Sequence, residues 1–197
     1  MNPGFCYLAE RSGCESAIVA IIDRFERSGI TLRHPGTGRI THLVGDGDDV
    51  DISQAEILRL APTGAHLAIQ FWLDTNTYVG CSFRQLASKF VRHAYSLDGL
   101  NEDERDRMTR WSIDYFRAGV AHGSGFLLIV DETGVSAGED WDAVAEGRSS
   151  LPQRLPGIVG VPSHWMKHLR LSSSQQQQSL AEFELVFESR YEREVRS

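Results

Sequence analysis

The chain has 197 residues, of which 41% are hydrophobic and 24% charged, a composition typical of one globular domain and not of a disordered chain. Its net charge of −7 disfavours nonspecific binding to nucleic acid, because such binding depends on cationic side chains. The longest apolar runs are far shorter than the roughly 20 residues that a membrane-spanning helix requires. We therefore expect neither nucleic acid nor a membrane as a partner.

The N-terminal sequence MNPGFCYLAERSG lacks both the basic and the apolar region of a signal peptide. The three cysteines, Cys6, Cys14 and Cys81, match neither a disulfide framework nor a thiolate zinc site. The seven histidines likewise form no recognised metal-binding motif. These features predict a cytoplasmic protein without a metal or a cofactor.

The first part of the chain predicts a long helix followed by a hairpin. Ser12 and Glu15 have the spacing of a capping box, an apolar stripe follows at helical spacing, and Gly29 is expected to end the helix. Two strands are predicted near residues 30–34 and 39–44, joined by the turn PGTG.

The middle of the chain predicts a short helix and three strands. Ser53 and Glu56 could cap a helix that ends before Pro62, although the apolar pattern of this segment is ambiguous. The runs HLAIQFWLD, YVGCSF and FVRHAYSL then alternate apolar and other residues, which is typical of strands. Short turns between them indicate an antiparallel meander.

A second long helix is predicted from Asn101, whose capping-box partner is Glu104, to about Gly123. The continuous apolar run GFLLIVDETG then predicts a central strand covered on both faces, and WDAVAEG predicts one or two helical turns. Near the end of the chain, EFELVFE alternates in the manner of a strand that returns to a sheet edge.

These elements predict an α+β fold with an antiparallel sheet of about five or six strands and two main helices packed on one face. We expect residues 1–147 to form a single domain core and residues 148–180 an irregular segment rich in Pro, Ser and Gln. Residues 181–197 are expected to return to the domain as a strand or helix. A flexible SSSQQQQS tether at 172–179 would also permit a strand-swapped homodimer.

The negative charge is concentrated in two segments, one of which contains GDGDDVDIS at residues 45–53. No register of that sequence places the glycine and the glutamate of an EF-hand loop correctly, so an acidic turn that serves as a docking surface is the favoured interpretation. Tryptophans beside acidic residues are typical of interaction hot spots, although core packing is the alternative. The predicted partner-binding residues are Asp46, Asp48, Asp49, Asp51, Trp72, Asp74, Glu139, Asp140, Trp141 and Asp142.

No catalytic motif is present: the chain has no phosphate-binding loop and no G-x-S-x-G sequence. Cys81, His93 and Asp131 lie on three predicted strands and could converge as a nucleophile, a base and an orienting acid. However, Cys81 falls on the apolar face of its strand, where a buried thiol is usually inert. No catalytic residue is therefore predicted.

The sequence is compatible with two functions. The first is a cytosolic acidic module that binds a basic protein partner, in the manner of an immunity-type antagonist of a toxin. The alternative is a small hydrolase or transferase whose site lies on the open sheet face around Trp72, Asp74 and Arg84. A deep pocket with converging titratable groups would favour the enzyme, and a flatter acidic patch with exposed aromatic residues would favour the module.

Overall fold

The computed structural model describes residues 4–45, 49–64, 66–87, 89–168 and 171–196. These residues form ten strands and five α-helices, together with short 3-10 helices. The strands are β1 Phe5–Arg11, β2 Thr41–Leu43, β3 Asp49–Asp51, β4 Leu67–Trp72, β5 Tyr78–Gln85, β6 Phe90–Ser96, β7 Gly125–Asp131, β8 Ile158–Pro162, β9 Gln175–Leu180 and β10 Phe183–Glu188. The helices are α1 Cys14–Arg27, α2 Gln54–Leu60, α3 Glu102–Ala121, α4 Trp141–Ala145 and α5 Glu192–Arg196.

The chain divides into two compact units. Unit 1 consists of Met1–Arg11 and Leu97–Ser197, and unit 2 consists of Ser12–Ser96. In unit 2 the strands follow the order β3-β2-β4-β5-β6, and in unit 1 they follow the order β1-β7-β8-β10-β9. The neighbouring strands within each unit pair antiparallel.

The predicted strand number was wrong, because the described residues form ten antiparallel strands and not about five or six. The expectation of two helices on one face also fails, since the same residues form five α-helices and the two long ones, α1 and α3, belong to different units. Strand β1 was missed because Cys6 to Glu10 are all buried, so that the segment lacks the alternation by which half-buried strands are recognised. Strand β9 was missed because it consists mainly of glutamine.

Unit 2 packs α1 against one face of its sheet. The Phe25 ring of α1 lies 4.8 Å from that of Phe71 on β4 and 5.5 Å from that of Tyr95 on β6. The side chains at alternate positions of β4 and β5 point to this face, where Ile69 and Val79 are fully buried. The opposite face of these strands carries half-exposed residues, among them Trp72, as the alternation in the sequence predicted.

Unit 1 buries its central strand β7 on both faces, as its continuous apolar sequence predicted: Leu127 to Val130 have no exposed surface. On one face, the Phe116 ring of α3 packs edge-on against Phe183 of β10, with 5.9 Å between the centroids. On the other face, the Tyr7 hydroxyl of β1 donates to Asp142 of α4 at 2.9 Å. This sheet is therefore packed between helices.

The segment from 148 to 180, which was expected to be irregular, contains two strands. Strand β8 is buried throughout, and β9 includes most of the SSSQQQQS stretch that was predicted to be flexible. The C-terminal strand β10 pairs with both of them, Leu185 lying opposite Gly160 and Gln178. The C-terminal strand therefore pairs within its own chain.

Local predictions near the helix ends had mixed outcomes. The capping boxes Ser53–Glu56 and Asn101–Glu104 are both confirmed, at the starts of α2 and α3. The Ser12–Glu15 capping box is wrong, because α1 begins one residue later than a Ser12 cap requires and its N-cap, Gly13, has no side chain. The strand predicted at residues 30–34 is reduced to a single bridge between Thr31 and Trp72. Among the described residues, no helix has the length and apolar character needed to cross a membrane.

Candidate functional site

The first acidic segment lies partly at the outer strand of unit 2. Asp46 and Asp48 lie outside the described residues, whereas Asp49 and Asp51 form the two ends of β3, the outer strand of unit 2. Both side chains are exposed. Asp51 forms an ion pair of 3.3 Å with Arg39, and Asp49 accepts a long hydrogen bond of 3.4 Å from Gln70. Part of the negative charge at this edge is therefore compensated.

The β4–β5 hairpin brings aromatic side chains together at one end of unit 2. Trp72 and Tyr78 are cross-strand partners whose rings lie 5.4 Å apart, and the His34 ring packs edge-on against Trp72 at 4.3 Å. Tyr78 is 43% exposed, and Trp72 is half-buried. The indole N–H of Trp72 has no hydrogen-bond partner among the described residues. This end of the hairpin presents an aromatic surface.

Asp74 stabilises the turn of the same hairpin. Its Oδ1 accepts hydrogen bonds from the backbone N–H groups of Asn76 at 2.7 Å and Thr77 at 2.8 Å. These backbone hydrogen bonds lower the pKa of the Asp74 carboxyl group. Asp74 is exposed and remains ionised next to the aromatic pair, as an interaction site requires, but it also has a structural role.

The open face of unit 2 is basic at the end remote from Trp72. Arg84 and Arg92 lie directly opposite each other on β5 and β6, and the Arg92 guanidinium donates to Ser82 at 3.4 Å. Burial, followed by the charges of Arg92 and Arg84, lowers the pKa of His66. The position proposed for an enzyme site, around Trp72, Asp74 and Arg84, thus spans an aromatic end and a basic end.

The second acidic segment belongs to unit 1, and its four predicted partner-binding residues have different structural roles. Glu139 is exposed. Asp140 is exposed and caps α4 by accepting from the backbone N–H of Ala143 at 2.9 Å. Asp142 is half-buried and accepts from Tyr7. Trp141 is 4% exposed, so the expectation of an exposed aromatic residue here was wrong: it is the first residue of α4 and packs into the core.

The negative charge is divided unequally between the units. Unit 2 contains nine acidic and eight basic residues, a net charge of −1, whereas unit 1 contains eighteen and twelve, a net charge of −6. Composition alone did not reveal this division, because unit 1 is assembled from the two ends of the chain. Most of the net negative charge therefore belongs to unit 1.

Unit 1 also contains a pocket that the sequence did not predict, which we call the charged pocket. It has a volume of about 750 Å³ and is formed by the first turns of α3, the residue after β7, and the C-terminal 3-10 helix and α5. Seven of its lining residues are charged, four of them acidic and three of them arginines. The lining residues are Leu100, Asn101, Glu102, Arg105, Asp106, Glu132, Arg190, Tyr191, Arg193 and Glu194.

Two arginines of the charged pocket are already paired with acidic side chains. Arg193 lies 3.4 Å from Asp106 and 3.2 Å from Glu194. Arg190 forms an ion pair of 2.9 Å with Glu188, and its guanidinium lies 4.6 Å from the centre of the Tyr191 ring. These contacts hold the C-terminal residues in place as one wall of the pocket.

Two half-buried side chains of opposite charge in the pocket, Arg105 and Glu132, form no ion pair with a described residue. The guanidinium of Arg105 is half-buried, and its Nε has neither solvent contact nor a hydrogen-bond partner. Glu132, also half-buried, accepts a 3.3 Å hydrogen bond from the Thr109 hydroxyl. Sequence reasoning missed both residues because Glu132 follows a strand, Arg105 belongs to a helix, and no motif links them.

Burial and hydrogen bonding make the possible cysteine site of Cys81, His93 and Asp131 unreactive. Cys81 has no exposed surface, and burial raises the pKa of its thiol well above the usual value. His93 is likewise fully buried, and its Nδ1 lies 2.8 Å from the hydroxyl of Tyr95. Asp131 accepts hydrogen bonds from Thr133 and Ser136, so its carboxylate organises the turn after β7.

No model of a known protein family, no curated protein and no solved structure matches the chain significantly.

Proposed function

We propose that this protein is a cytoplasmic interaction module that binds a basic protein partner, as an immunity-type antagonist of a toxin would. The observation that carries this proposal is the net charge of −6 on unit 1, with Glu139 and Asp140 exposed next to α4. Complementary charge accelerates association and selects a partner of opposite sign, and it makes binding sensitive to salt.

The geometry of the Glu139–Asp140 turn supports this role. Asp140 is held in place by its hydrogen bond to Ala143, and Trp141 anchors the following helix in the core. Charged groups on a rigid support lose little conformational entropy when a partner binds. The turn therefore offers one preorganised carboxylate, that of Asp140, next to the exposed carboxylate of Glu139.

The aromatic surface of unit 2 supports a protein partner. Tyr78 and Trp72 belong to the residue types that dominate binding energy at interfaces, and the exposed carboxylate of Asp74 lies on the same hairpin. Asp49 and Asp51 extend the exposed acidic residues of this unit. The enzyme alternative stays a prediction, and the lining of the charged pocket includes none of the residues to which that alternative refers, Trp72, Asp74 and Arg84.

The test compares charge variants in affinity capture from a lysate of the native host, at low and at high salt. The variant Glu139→Gln/Asp140→Asn removes two charges and preserves the helix cap, because Asn caps a helix as well as Asp does. The matched control, Glu26→Gln/Glu182→Gln, removes two exposed charges elsewhere. A second variant, Asp49→Asn/Asp51→Asn, tests the edge of unit 2.

We expect one basic protein to be recovered in stoichiometric amount by the wild type and the control at low salt, and to be lost at high salt. The Glu139→Gln/Asp140→Asn variant should bind it about tenfold more weakly, through a lower association rate. Equal recovery by all variants, or a partner that resists high salt, would contradict the electrostatic proposal.

A further inference from the structure

We propose that the charged pocket of unit 1 binds a small zwitterion of the α-amino acid class, with the ligand carboxylate on Arg105 and the ligand ammonium on Glu132. This site is distinct from the proposed partner-binding surface, and neither proposal depends on the other.

The side chain of Arg105 is half-buried near the start of α3, yet it forms no ion pair with any described acidic residue. A guanidinium that is partly withdrawn from water without a counter-charge is destabilising, and it carries five N–H donors arranged to grip a carboxylate. Arg105 therefore has the geometry and the unmet electrostatic requirement of an anion-binding residue.

Glu132 lines the same pocket and carries the opposite charge. Its Oε1 accepts from Thr109, and no described basic residue forms an ion pair with it. Arg105 and Glu132 do not neutralise each other, although both border one cavity. A ligand that carries both an anionic and a cationic group would satisfy the two side chains together.

The other arginines of the pocket are paired with acidic side chains, Arg193 with Asp106 and Glu194 and Arg190 with Glu188. Glu102 also lines the pocket, but it is exposed to solvent. Arg105 and Glu132 are therefore the half-buried charged groups of the lining that form no ion pair with a described residue. This pair of opposite charges favours a zwitterion over a simple anion or a simple cation.

Tyr191 is 5% exposed and lines the pocket together with Glu132. Burial, followed by the nearby charge of Glu132, raises the pKa of the Tyr191 hydroxyl, so this neutral group lies within interaction range of the Glu132 carboxylate. The pocket volume of about 750 Å³ also leaves room for the side chain of an amino acid.

The experiment screens each common L-α-amino acid against the full-length protein by thermal unfolding. At about 10 mM, a ligand with a dissociation constant of about 1 mM should raise the unfolding midpoint by about 3–6 °C. The best ligand is then compared with its N-acetyl derivative, which lacks the positive charge, and with its amide, which lacks the negative charge. We expect each derivative to bind at least about tenfold more weakly.

The variants Arg105→Gln and Glu132→Gln assign each charge to its residue. Arg105→Gln should weaken the amino acid about tenfold or more but should not weaken the amide further, since the amide has already lost the carboxylate. Glu132→Gln should show the same relation with the N-acetyl derivative. The controls are Arg110→Gln, an exposed arginine on the same helix, and Glu182→Gln, an exposed glutamate in the β9–β10 turn.

Three results would overturn the proposal: no amino acid raises the midpoint of the wild type, the N-acetyl derivative or the amide binds as well as the amino acid, or Arg105→Gln and Arg110→Gln have equal effects. The comparison of derivatives needs only the wild-type protein, so it remains decisive if a variant fails to fold. Circular dichroism of each variant identifies such a failure.

Discussion

Gly160 of β8 lies directly beneath the ring of Phe116 of α3. A Cβ atom placed on Gly160 would come within 2.5 Å of Cε1 of that ring, closer than any side chain tolerates. Glycine is therefore required at this position, since it allows the longest helix of the chain to approach the sheet of unit 1.

The variant Gly160→Ala should destabilise the protein by about 1–3 kcal/mol, because the added methyl group must displace Phe116 from a packed core. Urea unfolding followed by tryptophan fluorescence measures the change. Gly138→Ala is the matched control, since a Cβ on Gly138 meets nothing within 4 Å, and it should alter the free energy of unfolding by less than about 0.5 kcal/mol. Equal effects of the two substitutions would contradict the packing argument.

Ala181 in the turn between β9 and β10 has a φ of 54°, in the left-handed region that costs residues with a Cβ about 1–2 kcal/mol. Ala181→Gly should relieve this strain and stabilise the protein by up to about 1 kcal/mol, after allowing for the greater freedom of glycine in the unfolded chain. The midpoint of urea unfolding should rise. Ala137→Gly, in an exposed turn where φ is not positive, should instead lower it.

Asp131 is 1% exposed and accepts hydrogen bonds from Ser136 at 2.6 and 2.7 Å and from Thr133 at 3.1 and 3.2 Å. Burial alone would raise the pKa of Asp131, but the hydrogen bonds from Ser136 and Thr133 outweigh it and lower the pKa. The carboxylate therefore stabilises the fold above its unfolded pKa of about 3.9, and this contribution is lost as the pH falls through the lower, folded pKa.

At pH 7, Asp131→Asn should consequently destabilise the protein by about 1–3 kcal/mol, because the amide cannot accept from all of these donors. The difference from the wild type should shrink as the pH is lowered below about 4, where the unfolded carboxyl group becomes protonated. Urea unfolding at several pH values tests this. Asp103→Asn, an exposed acid in the first turn of α3, is the control. A difference that does not vary with pH would show that the carboxylate charge is irrelevant.

The thiols should be unreactive in the native protein. Burial raises the pKa of Cys6 to about 12, and it also raises the pKa values of Cys14 and Cys81. Since the thiolate is the reactive form, a thiol reagent at pH 8 should label the three cysteines slowly in the folded state and completely in denaturant. Rapid stoichiometric labelling of Cys81 in the native protein would contradict this prediction and would support the hypothesis that Cys81 is a nucleophile.

Local patterns in the sequence were sufficient wherever a structural feature depends on neighbouring residues. The capping boxes at Ser53 and Asn101 were identified correctly because each involves residues three positions apart. The alternation in β4 and β5 identified the buried face of unit 2 for the same reason, since side chains on a strand point to opposite faces in turn.

Tertiary packing decided the features that depend on residues remote in sequence. Strand β1 and the buried strand β8 have no alternation, since they are covered on both faces, and β9 is a strand because β10 lies beside it. Trp141 has acidic neighbours in the sequence, but its side chain is buried in the core.

The two proposed sites show the same division. The sequence alone determined that the protein is acidic and that Glu139 and Asp140 belong to one acidic segment, because composition and nearest neighbours need no fold. Only the tertiary structure placed Arg105, Glu132 and Tyr191 around one pocket. The arginines near Tyr191 are neutralised by nearby acids while Arg105 is not, and such pairing depends on distances that are set when the chain folds.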